Sequence, residues 1–146
     1  MKINDDISIS NDDSFFLIAG PCVIESKEQV LETASQLKSI ASRHDIDLVF
    51  KSSFDKANRS SISSYRGPGI ERGLEILQRV KDEFDIAVIT DFHVPEQAER
   101  VAEVADALQV PAFLSRQTDM LTAAGETGLP INVKKGQFLS ADGMDN

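Results

Sequence analysis

Short apolar runs of strand length alternate along this chain with longer segments whose apolar residues recur at helical spacing. That alternation restricts the fold more than any other feature of the sequence. The runs are Phe15-Phe16-Leu17-Ile18-Ala19, Leu48-Val49-Phe50, Ala87-Val88-Ile89-Thr90, Ala107-Leu108-Gln109-Val110 and Ile131-Asn132-Val133. The first is continuously apolar and closed by Gly20-Pro21, the pattern of a strand buried on both faces, and the others are short and mainly apolar. Between them, Val30, Ala34, Leu37 and Ala41 share one helical face, and Ile70, Leu74, Leu77 and Phe84 another. Ser26-Lys27-Glu28-Gln29 is a capping box that opens the first helix, with Ser26 accepting from the backbone and Gln29 reaching back. Pro95, at a first helical position, opens a helix that turns Ala98, Val101, Ala102 and Ala105 inward. A short helix near Thr118–Glu126 separates the last two strands. Two-faced strands joined by helices make a parallel sheet covered by helices. The pattern alone leaves two architectures open, a five-stranded open sheet and part of a (β/α)8 barrel.

Both architectures bind ligands beyond the C-terminal ends of their strands, so the residues following each strand are the candidates for chemistry. They read Gly20-Pro21-Cys22, Lys51-Ser52-Ser53, Asp91-Phe92-His93, Pro111-Ala112-Phe113 and Lys134-Lys135-Gly136. Two strands thus end in lysine on one rim. Lys51, Lys56, Arg59, Arg66 and Arg72 face only Asp55 and Glu71 within their segment, a surplus of three positive charges in a protein of net charge −9. A basic focus in an acidic chain suits a small, compact anion such as a phosphate or carboxylate, and disfavours nucleic acid and anionic membranes. One Tyr and no Trp leave little for base stacking, and neither a P-loop nor a Gly-x-Gly-x-x-Gly segment is present. No apolar run approaches the roughly 18 residues of a membrane span, and no signal-peptide core follows Met1. The single Cys22 has no internal disulfide partner, which fits a reducing, cytoplasmic setting. Residues 1–14 are polar and acidic and read as an N-terminal arm or short hairpin, with residues 15–146 as the folded unit.

One segment is far more specific than this chemistry. Lys51-Ser52-Ser53-Phe54-Asp55-Lys56-Ala57-Asn58-Arg59-Ser60-Ser61 resembles the signature of the 3-deoxy-D-manno-octulosonate 8-phosphate synthases, also called 2-dehydro-3-deoxyphosphooctonate aldolases. The likeness continues through Tyr65-Arg66-Gly67-Pro68-Gly69, Thr90-Asp91, Pro111 to Asp119 and Ile131 to Phe138, in order and with the family's spacing. A related heptulosonate synthase, which uses erythrose 4-phosphate, has a shorter Lys-Pro-Arg-Thr-type element in place of Lys56-Ala57-Asn58-Arg59-Ser60-Ser61.

The resemblance implies a partial (β/α)8 barrel and a condensation of phosphoenolpyruvate with D-arabinose 5-phosphate, giving the eight-carbon sugar phosphate and inorganic phosphate for lipopolysaccharide. By the same resemblance Lys51 and Lys134, with the backbone at Ala112, hold the phosphoenolpyruvate phosphate. Ser53 and Lys56 address its carboxylate, and Lys56 also assists the aldehyde oxygen. Asn58 touches the sugar hydroxyls, Arg59 and Ser60 the sugar phosphate, and Asp91 lines the reacting centre. Arg116 reaches the sugar phosphate of a neighbouring subunit, since the family's members are tetramers. Lys135 is set aside because successive strand residues point to opposite faces, and His93 is given no catalytic role. Cys22 resembles the ligand of the metal-dependent subgroup, for which a divalent zinc, iron or manganese ion is expected.

Two departures accompany the likeness. Val94 stands where family members carry a glutamate. The family's further metal ligands, a His, a Glu and an Asp, lie on later strands than these five. A complete barrel takes roughly 250 residues, so this reading expects the 146 residues to be the N-terminal portion of a longer barrel, with Ser140 to Asn146 opening a sixth helix. Alone, such a portion is expected to bind metal weakly, to turn over poorly or not at all, and to associate. A noncatalytic half-barrel remnant is the competing reading.

Overall fold

In a computed structural model describing residues 2–4, 7–10 and 15–145, five strands form one parallel sheet in the order β1-β2-β3-β4-β5. They are β1 Leu17–Ala19, β2 Leu48–Lys51, β3 Ala87–Asp91, β4 Ala107–Val110 and β5 Ile131–Val133. The helices are α1 Lys27–His44, α2 Ile70–Phe84, α3 Ala98–Ala102 and α4 Thr118–Glu126. Spatial order equal to sequence order, with every pair parallel, is the winding of a barrel; a doubly wound open sheet reverses direction at a switch point. The structure is therefore a partial (β/α)8 barrel. Among the described residues no helix is long and apolar enough to cross a membrane.

Strand alternation sorts the core into two layers. Phe50, Val88, Leu108 and Val110 face the helices and pack with Val30, Ala34, Leu74, Leu77, Val80, Val101 and Ala124. Val49, Ala87, Ile89 and Ala107 face the concave side, where Ile7 packs on them with Ile3, Ile9 and Phe16 at its margin. The described residues 2–4 and 7–10 of the N-terminal stretch pair as a short hairpin over the barrel floor, and residues 1, 5–6 and 11–14 of the expected arm or hairpin lie outside the described residues. Lys2 bridges Ser8, Ile3 donates to the Ile7 carbonyl at 2.9 Å, and Asn4 Oδ1 accepts from the Ile7 amide at 2.8 Å.

The structure corrects three expectations of local structure. β1 is not buried on both faces: it is the sheet's edge, Ile18 is 39% exposed and Phe15 lies outside the strand. Only half of the capping box forms. Ser26 Oγ accepts from the Gln29 amide at 3.1 Å, but Gln29 Oε1 is buried without a partner instead of turning back. The segment after Pro95 is a 3₁₀ turn, Pro95–Gln97, followed by only five α-helical residues, and Ala105 is buried beyond the helix end.

One interlock positions the rim. At Gly73 in α2 a Cβ would lie 2.2 Å from the Phe54 Cβ, so only glycine lets the helix approach the start of the β2–α2 loop. At Gly67, φ is +117° and a Cβ would lie 2.3 Å from the Phe54 carbonyl oxygen. Two glycines from the far side of the loop thereby close on a wholly buried Phe54.

Candidate functional site

The rim is built outward from β2. Period-two alternation puts Lys51 on the concave side with Val49, and Asp91 there with Ile89. The register pairs Lys51 with Ile89, so the ends of β2 and β3 stand side by side. Beyond the strands, Ser52 Oγ donates to the Pro21 carbonyl at 2.9 Å and Thr90 Oγ1 to the Ser52 carbonyl at 2.7 Å. Val23 pairs with Ser53, and the Ile24 amide donates to the Ser53 carbonyl at 3.0 Å. Buried hydroxyls thus staple the ends of three successive strands together.

Ser53 Oγ is the hub. Lys51 Nζ donates to it at 2.7 Å and Lys56 Nζ at 2.8 Å, while its own hydroxyl donates to Asp91 Oδ1. A hydroxyl offers one donor and two acceptor sites, and here all three are used. Lys51 Nζ also lies 3.6 Å from Asp91 Oδ1, and His93 Nε2 lies 3.1 Å from Asp91 Oδ2. Burial pushes the Asp91 carboxyl upward, yet the His93 hydrogen bond, the Lys51 charge and the Ser53 hydroxyl outweigh it and hold the group well below the usual carboxylate range. Burial lowers the Lys51 ammonium, against which the Asp91 charge raises it; Lys56 pushes it down further. Two lysines and one carboxylate leave an excess positive charge in a half-buried mouth, which suits an anion.

The β2–α2 loop is closed at its neck. Arg66 grips Asp55 through Nε at 2.7 Å and Nη2 at 3.0 Å, and the Lys56 amide donates to the Arg66 carbonyl at 2.6 Å. The Arg66 hydrogen bonds hold the Asp55 carboxyl below its ordinary value. Arg59 Nη1 donates to the Lys56 carbonyl at 2.7 Å, with its Nε buried and unpartnered; Asn58 and Ser60 are exposed on the loop.

The structure therefore brings Lys51, Ser53, Lys56 and Asp91 into one hydrogen-bonded cluster and places Asn58, Arg59 and Ser60 on the loop beside it. Ala112 opens the 3₁₀ turn after β4, and Arg116 is exposed after that turn. No ion pair joins Arg116 to Asp119 among the described residues. Lys134 is exposed just past β5, three strand places from β2, its amide donating to the Val110 carbonyl at 3.0 Å. Lys135 turns to the Gly136 and Leu139 carbonyls, at 3.0 and 2.9 Å. Asp91 caps no helix; both its oxygens serve the rim. His93, set aside in the sequence, packs against Phe54 (centroids 5.6 Å, planes 78° apart) and completes the carboxylate's shell. Asp91 ends β3 and His93 follows two positions later, and that proximity in sequence was the available signal.

Cys22 is exposed in the segment that follows β1. Among the described residues no group of three or more His, Cys, Asp or Glu side chains converges as a metal centre. One thiolate falls short of the three or four protein ligands that zinc takes, so the residues present do not by themselves fit the expected ion.

Comparison with known proteins gives the family. The sequence description of the DAHP synthetase I family matches residues 1–146. Proteins named 2-dehydro-3-deoxyphosphooctonate aldolase are similar to this chain. That of Campylobacter jejuni strain RM1221 is 61% identical over 124 residues, which is 85% of this chain and 46% of the relative. That of Fusobacterium nucleatum is 58% identical over 132 residues, 90% of this chain and 48% of the relative. That of Desulfatibacillum aliphaticivorans is 54% identical over 138 residues, 94% and 50% respectively. The chain spans about half the length of the curated relatives it matches.

Proposed function

The chain belongs to the DAHP synthetase I family, and from that membership and its rim we propose that it supplies the phosphoenolpyruvate and sugar-phosphate side of a site that makes 3-deoxy-D-manno-octulosonate 8-phosphate. The observation that carries this reading is the convergence of Lys51 and Lys56 on one Ser53 hydroxyl, tied to Asp91. Two ammonium groups held by a buried network form a site prepared for an anion with adjacent phosphate and carboxylate groups.

In this reading Lys51, with Lys134 and the Ala112 backbone, takes the phosphoenolpyruvate phosphate, and Lys56 and Ser53 its carboxylate. The loop carrying Asn58, Arg59 and Ser60 takes D-arabinose 5-phosphate. The methylene carbon of phosphoenolpyruvate bonds to the sugar's aldehyde carbon, and the aldehyde oxygen takes a proton, for which Lys56 is the donor in reach. Water adds at the neighbouring carbon, and collapse of that adduct releases inorganic phosphate and leaves the ketone. Asp91 stays ionised and acts as acceptor only, so its part is to hold Ser53 and Lys51 in place. The reading carries with it a cytoplasmic, tetrameric enzyme in which Arg116 serves a neighbouring subunit, and it routes no step through a metal.

Calorimetric titration with phosphoenolpyruvate, D-arabinose 5-phosphate and erythrose 4-phosphate tests the assignment. Binding of phosphoenolpyruvate and preference for the five-carbon sugar are expected, and the protein carrying this sequence should release phosphate and an eight-carbon product from the first pair. Preference for the four-carbon sugar would move the assignment to the heptulosonate relatives.

A further inference from the structure

His93 takes part in none of the steps above, yet its imidazole is nine-tenths buried at the back of the lysine cluster. Its surroundings are Phe54, whose ring meets it edge to face, and the Asp91 carboxylate. The imidazole has two nitrogens with different fates. Nε2 meets Asp91 Oδ2 at 3.1 Å, and Nδ1 is buried with no partner.

These facts settle where the proton sits. An ionised carboxylate only accepts hydrogen bonds, so Nε2 carries the hydrogen. A hydrogen on Nδ1 as well would put an unpaired cationic N–H out of reach of solvent, which costs more than leaving a bare ring nitrogen there. The imidazole is neutral, with its one hydrogen aimed at Oδ2. The contact turns Oδ2 toward His93, which leaves Oδ1 facing the Ser53 hydroxyl that donates to it. With the Ser53 hydrogen committed to Oδ1, both its lone pairs turn toward Lys51 and Lys56.

We infer that His93, as its neutral Nε2–H tautomer, is a positioning residue: it fixes the Asp91 carboxylate so that Ser53 can aim both lysines at one anion. The inference rests on the proposed function only for the ligand used in its binding test.

His93→Phe keeps a flat ring against Phe54 and removes the donor; His93→Gln keeps an amide N–H at a similar reach. In the wild-type chain, ¹⁵N spectra of the His93 ring should show a protonated Nε2 and a bare Nδ1, and phosphoenolpyruvate affinity is read by titration. His93→Phe should lose roughly tenfold or more in affinity, the scale of a lost hydrogen bond to a charged group, and His93→Gln should recover most of it. An Nδ1–H or doubly protonated ring overturns the inference, as does His93→Phe binding as tightly as wild type. If wild type binds no phosphoenolpyruvate while the ring shows the Nε2–H form, the inference is supported and the proposed function is what fails.

Discussion

A carboxylate with only 8% of its side chain exposed, as at Asp91, is unfavourable unless its charge is matched and its oxygens are bonded. Here Lys51, Ser53 and His93 do both, and the folded-state pKa drops below the unfolded value of about 3.9. A depressed carboxylate pKa contributes stability that is fully present above the unfolded value and is lost as pH falls through the folded one. Asp91→Asn should therefore be less stable than wild type at neutral pH, by on the order of 2 kcal/mol, the scale of hydrogen bonds to a charged group. The difference should narrow at about pH 3, where the unfolded chain binds protons that the native carboxylate refuses. Urea denaturation of both proteins at the two pH values measures this; a gap that held constant or widened in acid would show that Asp91 is not held ionised. Of this network the sequence revealed the members but not the connections. Lys51, Ser53 and Lys56 are legible together because they lie within six positions on one strand end and loop. Asp91 is 38 positions from Ser53, and only the β2–β3 register brings the two together. His93 was given no catalytic role because its spacing of two from Asp91 shows that the two are near, not that a ring nitrogen reaches the carboxylate.

Gly73 in α2 shows how one element sets the position of another. By propensity alone Gly73→Ala should stabilise the helix by about 1 kcal/mol. The added Cβ would fall 2.2 Å from the Phe54 Cβ and 3.2 Å from its Cα, against a side chain with no room to retreat. Overpacking of this kind costs about 1–3 kcal/mol, so packing wins and Gly73→Ala should lower the urea midpoint. A higher midpoint would mean that Phe54 and the loop it anchors yield easily, and that the Asp55–Arg66 neck alone holds the loop. The same competition between local preference and packing explains which elements were legible. β4 and α4 fall where the apolar runs and their breakers put them, because their burial matches their local pattern; β5 also falls in place, but as an edge strand it is only half-buried. β1 was misread as buried on both faces because a continuous apolar run records what a strand can bury, whereas exposure at an edge depends on neighbours that the run does not contain. The Pro95 segment was read as one helix because a 3₁₀ turn and a first α-turn share the same residue preferences.

At the scale of the molecule, the five strands leave two edges, and their concave side carries apolar residues. Among the described residues β1 and β5 each pair on one side only. Along the floor Phe16, Ile18, Val49, Ile89, Ala107 and Ile131 line an apolar hollow that the Ile3–Ile9 hairpin covers in part. Backbone donors and acceptors on an open edge, beside apolar side chains, are a template for pairing with another chain. The net charge of −9 opposes that pairing through long-range repulsion, but repulsion between exposed charges is screened within about 8 Å at physiological ionic strength, whereas apolar burial is not. The balance therefore tips toward association as salt is raised. Sedimentation velocity over a hundredfold concentration range should show the 16.0 kDa chain growing in average mass with concentration, and more so in salt. Ile18→Lys places a charge on the exposed edge without touching the lysine cluster or the core against the helices. It should return the chain toward a monomer, as inward charges do on natural sheet edges. A wild-type chain that stays at 16.0 kDa at every concentration and salt level would show that the N-terminal hairpin already shields the floor and that β1 and β5 are too short to recruit a partner.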